Sequence, residues 1–343
     1  MKILIIQKKH LGDILVSTVI FPLLQKQYPD AEITFLLNEK HHQILIGNPF
    51  VNHVIFWDKD KLLSLFLNVR KQKYDIVIDL YAKVDSGFLM FFSCAGKRIT
   101  YFKKYTQLFC NFPIERSKIV RCKNTTLSIE HRLQTLEPLK ITFEETFPKL
   151  YVLPEELQNS HQILSNLGLS TDNKLIMIST FGSKEVKTYP LKYMAKILDY
   201  ISDLQENIKL LCNYLPFQKE LFLQLYEMVS VKTKEAIVKN FDTQNLREFI
   251  AITSVCDCLI GNEGGATNIS KSLDIPTFTI FAPGVNLTDW AWTDKPKLDK
   301  FLHVNDFVEN STDYLDFKPD FMKKSLEGFL NNVFELTKFK TNV

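Results

Sequence analysis

The sequence predicts an α/β protein built from two doubly wound domains, each a parallel sheet with helices on both faces. Three observations lead there. Short apolar runs bounded by turn residues recur along the chain, as in strands buried on both faces; Lys2–Gln7 (KILIIQ), Asp75–Leu80 (DIVIDL) and Val255–Ile260 are examples. Helical stretches separate them, which is the alternation of a parallel sheet. The pattern lapses over Phe102–Ser128 and starts afresh after Gly168, and 343 residues exceed one ordinary core. Domains are therefore expected over residues 1–167 and 168–319, with a terminal helix in 320–343.

In the first series, strands are expected at Lys2–Gln7, Ala31–Leu37, His53–Phe56, Asp75–Leu80 and Lys97–Tyr101. Gly12–Tyr28 reads as one helix whose apolar stripe includes Ile14, Leu15, Val19 and Leu23, with a kink at Pro22. Further helices are read at Glu39–Ile46, Asp60–Gln72 and Asp85–Cys94. Gly87–Ala95 (GFLMFFSCA) is the most apolar piece; it is too short to span a bilayer and reads as a buried helix. Ile129–Leu139 reads as a helix, Phe147–Leu153 as extended, and Pro154–Leu167 as a helix stopped by Gly168.

The second series has strands at Lys174–Thr180, Ile208–Asn213, Ala236–Val238, Val255–Ile260 and Thr277–Phe281. Its helices are Pro190–Leu204, Phe217–Ser230, Gln244–Thr253 and Ala266–Leu273. Within it, Val255–Phe281 reads as strand, glycine-bearing turn, helix and strand. Glycines between a buried strand and a helix let a backbone or a phosphate come close, and the unpaired N–H groups opening the helix favour an anion. Glu263, just before Gly264 and Gly265, would stand at the carboxyl end of the strand, where open α/β sheets bind ligands. The plainer alternative is that the glycines only permit a tight turn.

Composition limits the function classes. The net charge of +3 is too small to suggest nucleic-acid binding, and apolar and charged fractions are those of a soluble globular protein. Six cysteines without C-x-x-C spacing read as reduced thiols in a cytoplasmic protein; Cys256 and Cys258 would share one face of a strand. The N-terminus lacks the long apolar segment of a signal peptide, and no run reaches the length of a membrane span. Histidine and cysteine spacings offer no metal site, a G-x-G-x-x-G fingerprint is missing, and no serine nucleophile elbow is present.

Three stretches carry candidate chemistry. Gln7–Asp13 (QKKHLGD) follows the first strand and opens the first helix; Asp13 is either a residue that satisfies the helix dipole or a general base that takes a proton from a hydroxyl. Thr180–Pro190 (TFGSKEVKTYP) joins the first strand of the second series to the next helix. Its hydroxyls, its glycine, Lys184 and Lys187 suit a diphosphate, or else form a solvated loop. Lys97–Lys123 is basic, with Lys103, Lys104 and Arg116 against a single acid, Glu115, and has interleaved aromatics. It is either a solvated face or a surface for an anionic lipid or phosphorylated acceptor, and single-stranded nucleic acid would also suit it.

Together these stretches resemble glycosyltransferase family 9, the heptosyltransferases. Lys8-Lys9-His10-Leu11-Gly12-Asp13-Ile14-Leu15, followed by Pro22-Leu23-Leu24 and Tyr28-Pro29, is similar to that family's N-terminal signature. Lys187-Thr188-Tyr189-Pro190 is similar to its Lys-Arg-Trp-Pro, and Gly261–Pro276 to its Gly-Asn-Asp-Thr/Ser-Gly-Pro-Met-His segment with the Ala-rich helix and Pro-led strand that follow. The resemblance implies a GT-B fold, two Rossmann-like domains facing a cleft, with the terminal helix packing back on the first domain. It implies an inverting, metal-independent enzyme without a cofactor. Its nucleotide-sugar donor, typically ADP-heptose, binds the second domain, and an anionic lipid-linked saccharide of the lipopolysaccharide core binds the first.

By that resemblance Asp13 is the catalytic base. Thr180, Ser183, Lys184, Lys187, Glu263, Gly264, Gly265 and Asn268 serve the donor, and Lys8, Lys9, His10, Gly12, Lys103 and Lys104 the acceptor. The expected setting is the cytoplasm, with peripheral contact at the inner membrane and no nucleic-acid partner. Glu263, Gly264 and Asn268 depart from the family's Asp, Thr/Ser and His. Those departures leave open a UDP- or GDP-sugar donor for another surface glycan; a non-catalytic GT-B-like binding protein is the alternative of a different class.

Overall fold

A computed structural model describes the backbone of residues 1–340 and the side chains up to Glu335. The last three residues of the expected terminal segment 320–343 lie outside the described residues. The chain forms two compact units, one of Met1–Tyr151 with Thr288–Trp292, the other of Val152–Leu287 with the chain from Thr293 onward.

The first unit runs β1 (Lys2–Ile6), α1 (Leu11–Ser17), α2 (Ile20–Gln27), β2 (Glu32–Leu37), β3 (His53–Phe56), α3 (Leu62–Gln72), β4 (Ile76–Asp79), α4 (Val84–Phe92), β5 (Lys97–Tyr101), β6 (Phe112–Ile114) and α5 (Leu127–Gln134). Its six strands are parallel, in the order β3-β2-β1-β4-β5-β6. This is the doubly wound Rossmann order, which reverses direction beside β1 and puts the carboxyl ends of β1 and β4 at the switch point. Leu4, Ile6, Leu36 and Val77 pack with Leu65 and Val69 of α3 and Leu89 and Met90 of α4, so these two helices cover one face.

The second unit runs α6 (Pro154–Asn166), β7 (Lys174–Ser179), α7 (Leu191–Leu204), β8 (Ile208–Asn213), α8 (Lys219–Met228), α9 (Val231–Ala236), α10 (Leu246–Ser254), β9 (Cys258–Asn262), α11 (Gly265–Ser272), β10 (Thr277–Ile280), β11 (Lys300–Leu302) and α13 (Lys323–Lys340). A short helical turn, α12 (Leu287–Trp290), precedes β11 in the chain and belongs to the first unit from Thr288 on. The five strands are parallel, in the order β11-β10-β9-β7-β8, with β9 and β7 at the switch. None of the described helices is long and apolar enough to cross a membrane.

Several elements differ from expectation. The helix expected over Gly12–Tyr28 is two helices that part at Thr18-Val19, upstream of Pro22. Pro22 sits in the first turn of α2, where its missing N–H costs nothing. Glu39–Leu45 is a 3₁₀ helix. Ala236–Val238 is not a strand; the chain leaves α9 there and makes one isolated bridge, Ile237 to Leu210. The strand read at Val255–Ile260 is shifted to Cys258–Asn262, so Gly261 and Asn262 belong to it rather than to the turn, and Cys256 precedes it. All six cysteines are free thiols. Phe102–Ser128 contains the edge strand β6 and a 3₁₀ turn at Thr106–Leu108.

Two differences concern domain organisation. The boundary expected near Gly168 put Pro154–Leu167 in the first domain. In the structure α6 packs on α10, and Glu156 pairs with Arg247, which places α6 in the second unit. The terminal helix was expected to pack back on the first domain. Instead Leu326, Phe329, Leu330, Val333 and Phe334 of α13 are buried in the second unit's core with Ile197, Leu198, Ile201 and Phe278.

Candidate active site

In the first unit the candidate residues gather at the carboxyl end of β1. His10 caps α1 with extended backbone, and Asp13 falls in the first helical turn. The Asp13 side chain is about one-eighth exposed; Arg132 Nη2 donates to its Oδ1 at 2.9 Å, and Lys9 Nζ lies 3.6 Å from Oδ2. Arg132 is itself anchored, its Nη1 donating to the Ser128 carbonyl at 2.9 Å, one helical turn back on α5. A carboxylate with a charge-assisted hydrogen bond on one oxygen is held in direction and keeps its second oxygen available to a hydroxyl.

The neighbouring side chains explain the shape of this corner. Tyr101 is fully buried, its hydroxyl makes no hydrogen bond among the described residues, and Arg116 stacks 4.0 Å from its ring centroid. Burial raises the Tyr101 hydroxyl's pKa against the pull of Arg132 and Arg116, so it stays a neutral phenol. Lys8 is buried: it pairs with Asp85 and sits 3.2 Å above the Trp57 ring centroid, and burial lowers its pKa. Its ammonium is thus committed to internal partners. Lys103 donates to the Ala82 carbonyl at 2.7 Å and to Tyr105 at 3.2 Å. Lys9, His10 and Lys104 are exposed, and Gly12 lies within the first turn of α1.

In the second unit the candidates lie at the carboxyl ends of the adjacent strands β7 and β9. Asn262, the last residue of β9, donates to the carbonyls of Ser179 (3.0 Å) and Thr180 (2.9 Å) and accepts from the Tyr189 N–H at 2.7 Å. One buried amide therefore ties the strand end to both ends of the 180–190 loop. Gly261 has φ +134°, and a Cβ there would stand 2.4 Å from the Ser179 carbonyl oxygen, so only glycine lets the two strands meet. Gly182 is packed against the Lys187 backbone, where a Cβ would lie 2.2 Å from the carbonyl oxygen. Tyr189 anchors the loop: its ring is fully buried among Tyr193, Tyr314 and Phe317, and its hydroxyl donates to the Phe317 carbonyl.

This frame brings Lys187 and Glu263 together. The Lys187 ammonium is 4.0 Å from Glu263 Oε2, a buried oxygen that makes no hydrogen bond among the described residues. Burial raises the Glu263 pKa, against the opposing pull of Lys187 and Lys271. Gly264 and Gly265 open α11 beside it, and a Cβ on Gly264 would meet open space. Ser183 and Lys184 are exposed on the loop. Thr180 is buried with its hydroxyl donating to the Ile178 carbonyl, and Asn268 is buried within α11.

Three residues of these sites were not singled out from the sequence. Arg132 shares a helical stripe with Ile129, Leu133 and Leu136, and a charge on an apolar stripe is a signal that a partner is buried there. Asn262 is a polar residue ending an apolar strand. Lys271 is buried on α11, its pKa lowered to about 7 by desolvation against Asp299, Glu263 and Asp294. A helix that short, buried from Thr267 to Ser272, offers no periodicity from which to read Lys271.

Two Rossmann-like units, each with candidate residues at the carboxyl ends of its central strands, define a glycosyltransferase of the GT-B fold. The chain belongs to glycosyltransferase family 9 (heptosyltransferase), whose family model matches residues 62–297. It is 25% identical over 343 residues, covering 95% of this chain and 96% of the relative, to lipopolysaccharide heptosyltransferase 1 of Campylobacter coli. Its fold is similar to that of a family 9 glycosyl transferase from Veillonella parvula, with a TM-score of 0.79 at 19% identity over 96% of this chain and 97% of that one. It is also similar to E. coli ADP-heptose lipopolysaccharide heptosyltransferase II, with a TM-score of 0.78 at 16% identity over 98% of this chain and 100% of that one. The family expected from the three motifs is the family to which the chain belongs.

Proposed function

We propose that this glycosyltransferase moves a heptose from ADP-heptose to an anionic, lipid-linked saccharide of the lipopolysaccharide core, with inversion and without a metal ion or cofactor. Asp13 accepts the proton of the acceptor hydroxyl as that oxygen attacks the anomeric carbon, and the nucleoside diphosphate leaves from the opposite side. Arg132 holds the Asp13 carboxylate in line and Lys9 adds positive charge beside it. Lys187 and the first N–H groups of α11 meet the charge that grows on the leaving diphosphate. The reaction takes place in the cytoplasm, at the inner face of the membrane that carries the acceptor.

The observation that carries this reading is the Lys187–Glu263 pair at adjacent strand ends. It offers a cation for a diphosphate next to a buried carboxylate oxygen lacking a hydrogen-bond donor, which a sugar hydroxyl can supply. The name of the E. coli structural relative, which specifies ADP-heptose, favours that donor. One feature favours a second donor class, a UDP- or GDP-sugar: Gly264 replaces the hydroxyl residue usual in the family and leaves open space at the start of α11.

Thermal unfolding with ADP, UDP and GDP tests the donor. A ligand at a hundredfold excess over its Kd stabilises the native state by about 2.7 kcal/mol. Selective stabilisation by ADP, lost in Lys187→Ala, is the expected outcome. Selective stabilisation by UDP or GDP moves the enzyme to another glycan, and an ADP response unchanged in Lys187→Ala refutes the role of Lys187. Transfer that collapses in EDTA and returns with a divalent cation refutes metal independence.

A further inference from the structure

The outer face of the α3–α4 layer does not look like the surface of a soluble helix pair. Such helices turn polar residues outward. On α3, Leu63 and Leu67 are 76% and 62% exposed, and they share a stripe with Phe66. On α4, Val84, Phe88, Phe91 and Phe92 follow helical spacing, and each is about half exposed. The two stripes are continuous: Phe66 meets Phe92 edge-on at 5.4 Å, Phe92 meets Phe91 at 6.2 Å, and Phe88 leads on to Phe109 at 4.8 Å. The helix read as buried in the sequence therefore presents three aromatic rings to solvent.

Charge borders this patch on one side. Arg70, Lys71 and Lys73 are exposed at the end of α3, and Arg70 Nη1 reaches the Phe92 carbonyl at 3.4 Å. Arg98 lies 5.8 Å from the Phe91 ring centroid. Of the nearby acids, Asp75 accepts from the Lys2 N–H at 2.7 Å, Asp79 is buried, Asp85 pairs with Lys8 and Asp58 with Lys61, while Asp60 is exposed at the other end of α3. Of the basic segment Lys97–Lys123, Lys104, Lys118 and Lys123 are exposed, while three other cations are engaged by protein groups. Arg121 pairs with Glu130 and Glu137, Arg116 stacks on Tyr101, and Lys103 is held by Ala82.

We infer that the outer face of α3 and α4 is a docking surface for an anionic phospholipid bilayer, with Phe88, Phe91 and Phe92 entering the interface and Arg70, Lys71 and Lys73 meeting the headgroups. Aromatic rings on one side of a helical surface, beside exposed lysine and arginine, are the chemistry that an anionic membrane surface recognises. The charge border decides the occupant, because a neutral partner would gain nothing from it. The inference rests on the reading that the acceptor is lipid-linked and names the surface that brings the enzyme to it.

Co-sedimentation of the full chain with vesicles tests it, using phosphatidylcholine alone and an equimolar mixture of phosphatidylcholine and phosphatidylglycerol. Binding to the anionic vesicles only is expected, weakened by salt and reduced by about tenfold or more in Phe91→Ser/Phe92→Ser. The Phe91→Trp variant keeps the surface apolar, and its indole emission should shift to the blue on anionic vesicles and be quenched by brominated lipid. No binding, equal binding to both vesicle types, an unchanged affinity in the double variant, or an unmoved indole spectrum would each overturn the assignment. So would a wild-type dimer that the double variant converts to monomer without any lipid dependence. Transfer to a delipidated acceptor should be unchanged in Phe91→Ser/Phe92→Ser. If no transfer occurs with either protein while vesicle binding holds, the proposed donor or acceptor is wrong and the docking surface stands.

Discussion

At the residue scale, the buried charges show which groups serve structure and which remain available. Asp79 ends β4 with its carboxylate fully buried; it accepts from the N–H groups of Tyr81 and Ala82 and from the Ser86 hydroxyl. Desolvation outweighs these bonds and raises its pKa from the ordinary 3.8 to about 6. Between those two values the folded state binds the extra proton. This contribution to stability is therefore full below pH 3.8 and is lost as the pH rises through about 6. The loss is on the order of 3 kcal/mol. Asp79→Asn keeps the turn's acceptor without the charge. Its stability relative to wild type should rise by that order between pH 4 and pH 7 in denaturant titrations, and a difference that does not vary with pH would contradict this account. Asp13 lies less deeply, with Arg132 donating to one oxygen and Lys9 3.6 Å from the other.

At the element scale, the strand–turn–helix corner of the second unit depends on backbone geometry. Gly261 lets β9 approach the Ser179 backbone, and Asn262 then stitches the strand to the loop that carries Lys187. Gly261→Ala combines an unfavourable φ with a backbone clash and should cost at least about 2 kcal/mol, with weaker nucleotide binding as the loop loosens. Wild-type stability of that variant in thermal unfolding would contradict the close-approach argument. The sequence pointed to this corner through its glycines but placed Gly261 and Asn262 in the turn, because an apolar run does not reveal where its ladder ends. Glu263 was legible from its place before Gly264. Lys187 was legible as a diphosphate candidate and through the Lys187–Pro190 motif, but not as the partner of Glu263, since the pair is made by strand order.

At the scale of the whole molecule, both doubly wound sheets were legible because buried parallel strands are nearly continuous apolar runs. The misread elements share a physical cause. The α1–α2 break, the shift of β9 and the placement of α6 and α13 are decided by long-range packing, to which local periodicity is blind. The exposed aromatic face of α4 was misread for the same reason: hydrophobicity predicts burial unless some other surface is waiting for it. The motifs fared better than the boundaries, because each sits where a strand meets a helix and the fold fixes that junction. The mechanism proposed here is an inverting heptosyl transfer with Asp13 as the base.

The most direct test is transfer from ADP-heptose to a heptose-deficient lipopolysaccharide core, with the product followed by mass spectrometry and its anomeric configuration by NMR, for wild type and Asp13→Asn. This mechanism gives an inverted heptosyl product from wild type and a rate lower by about 10²–10⁴-fold in Asp13→Asn, with ADP binding retained. A retained anomeric configuration, or transfer by Asp13→Asn at the wild-type rate, would contradict it.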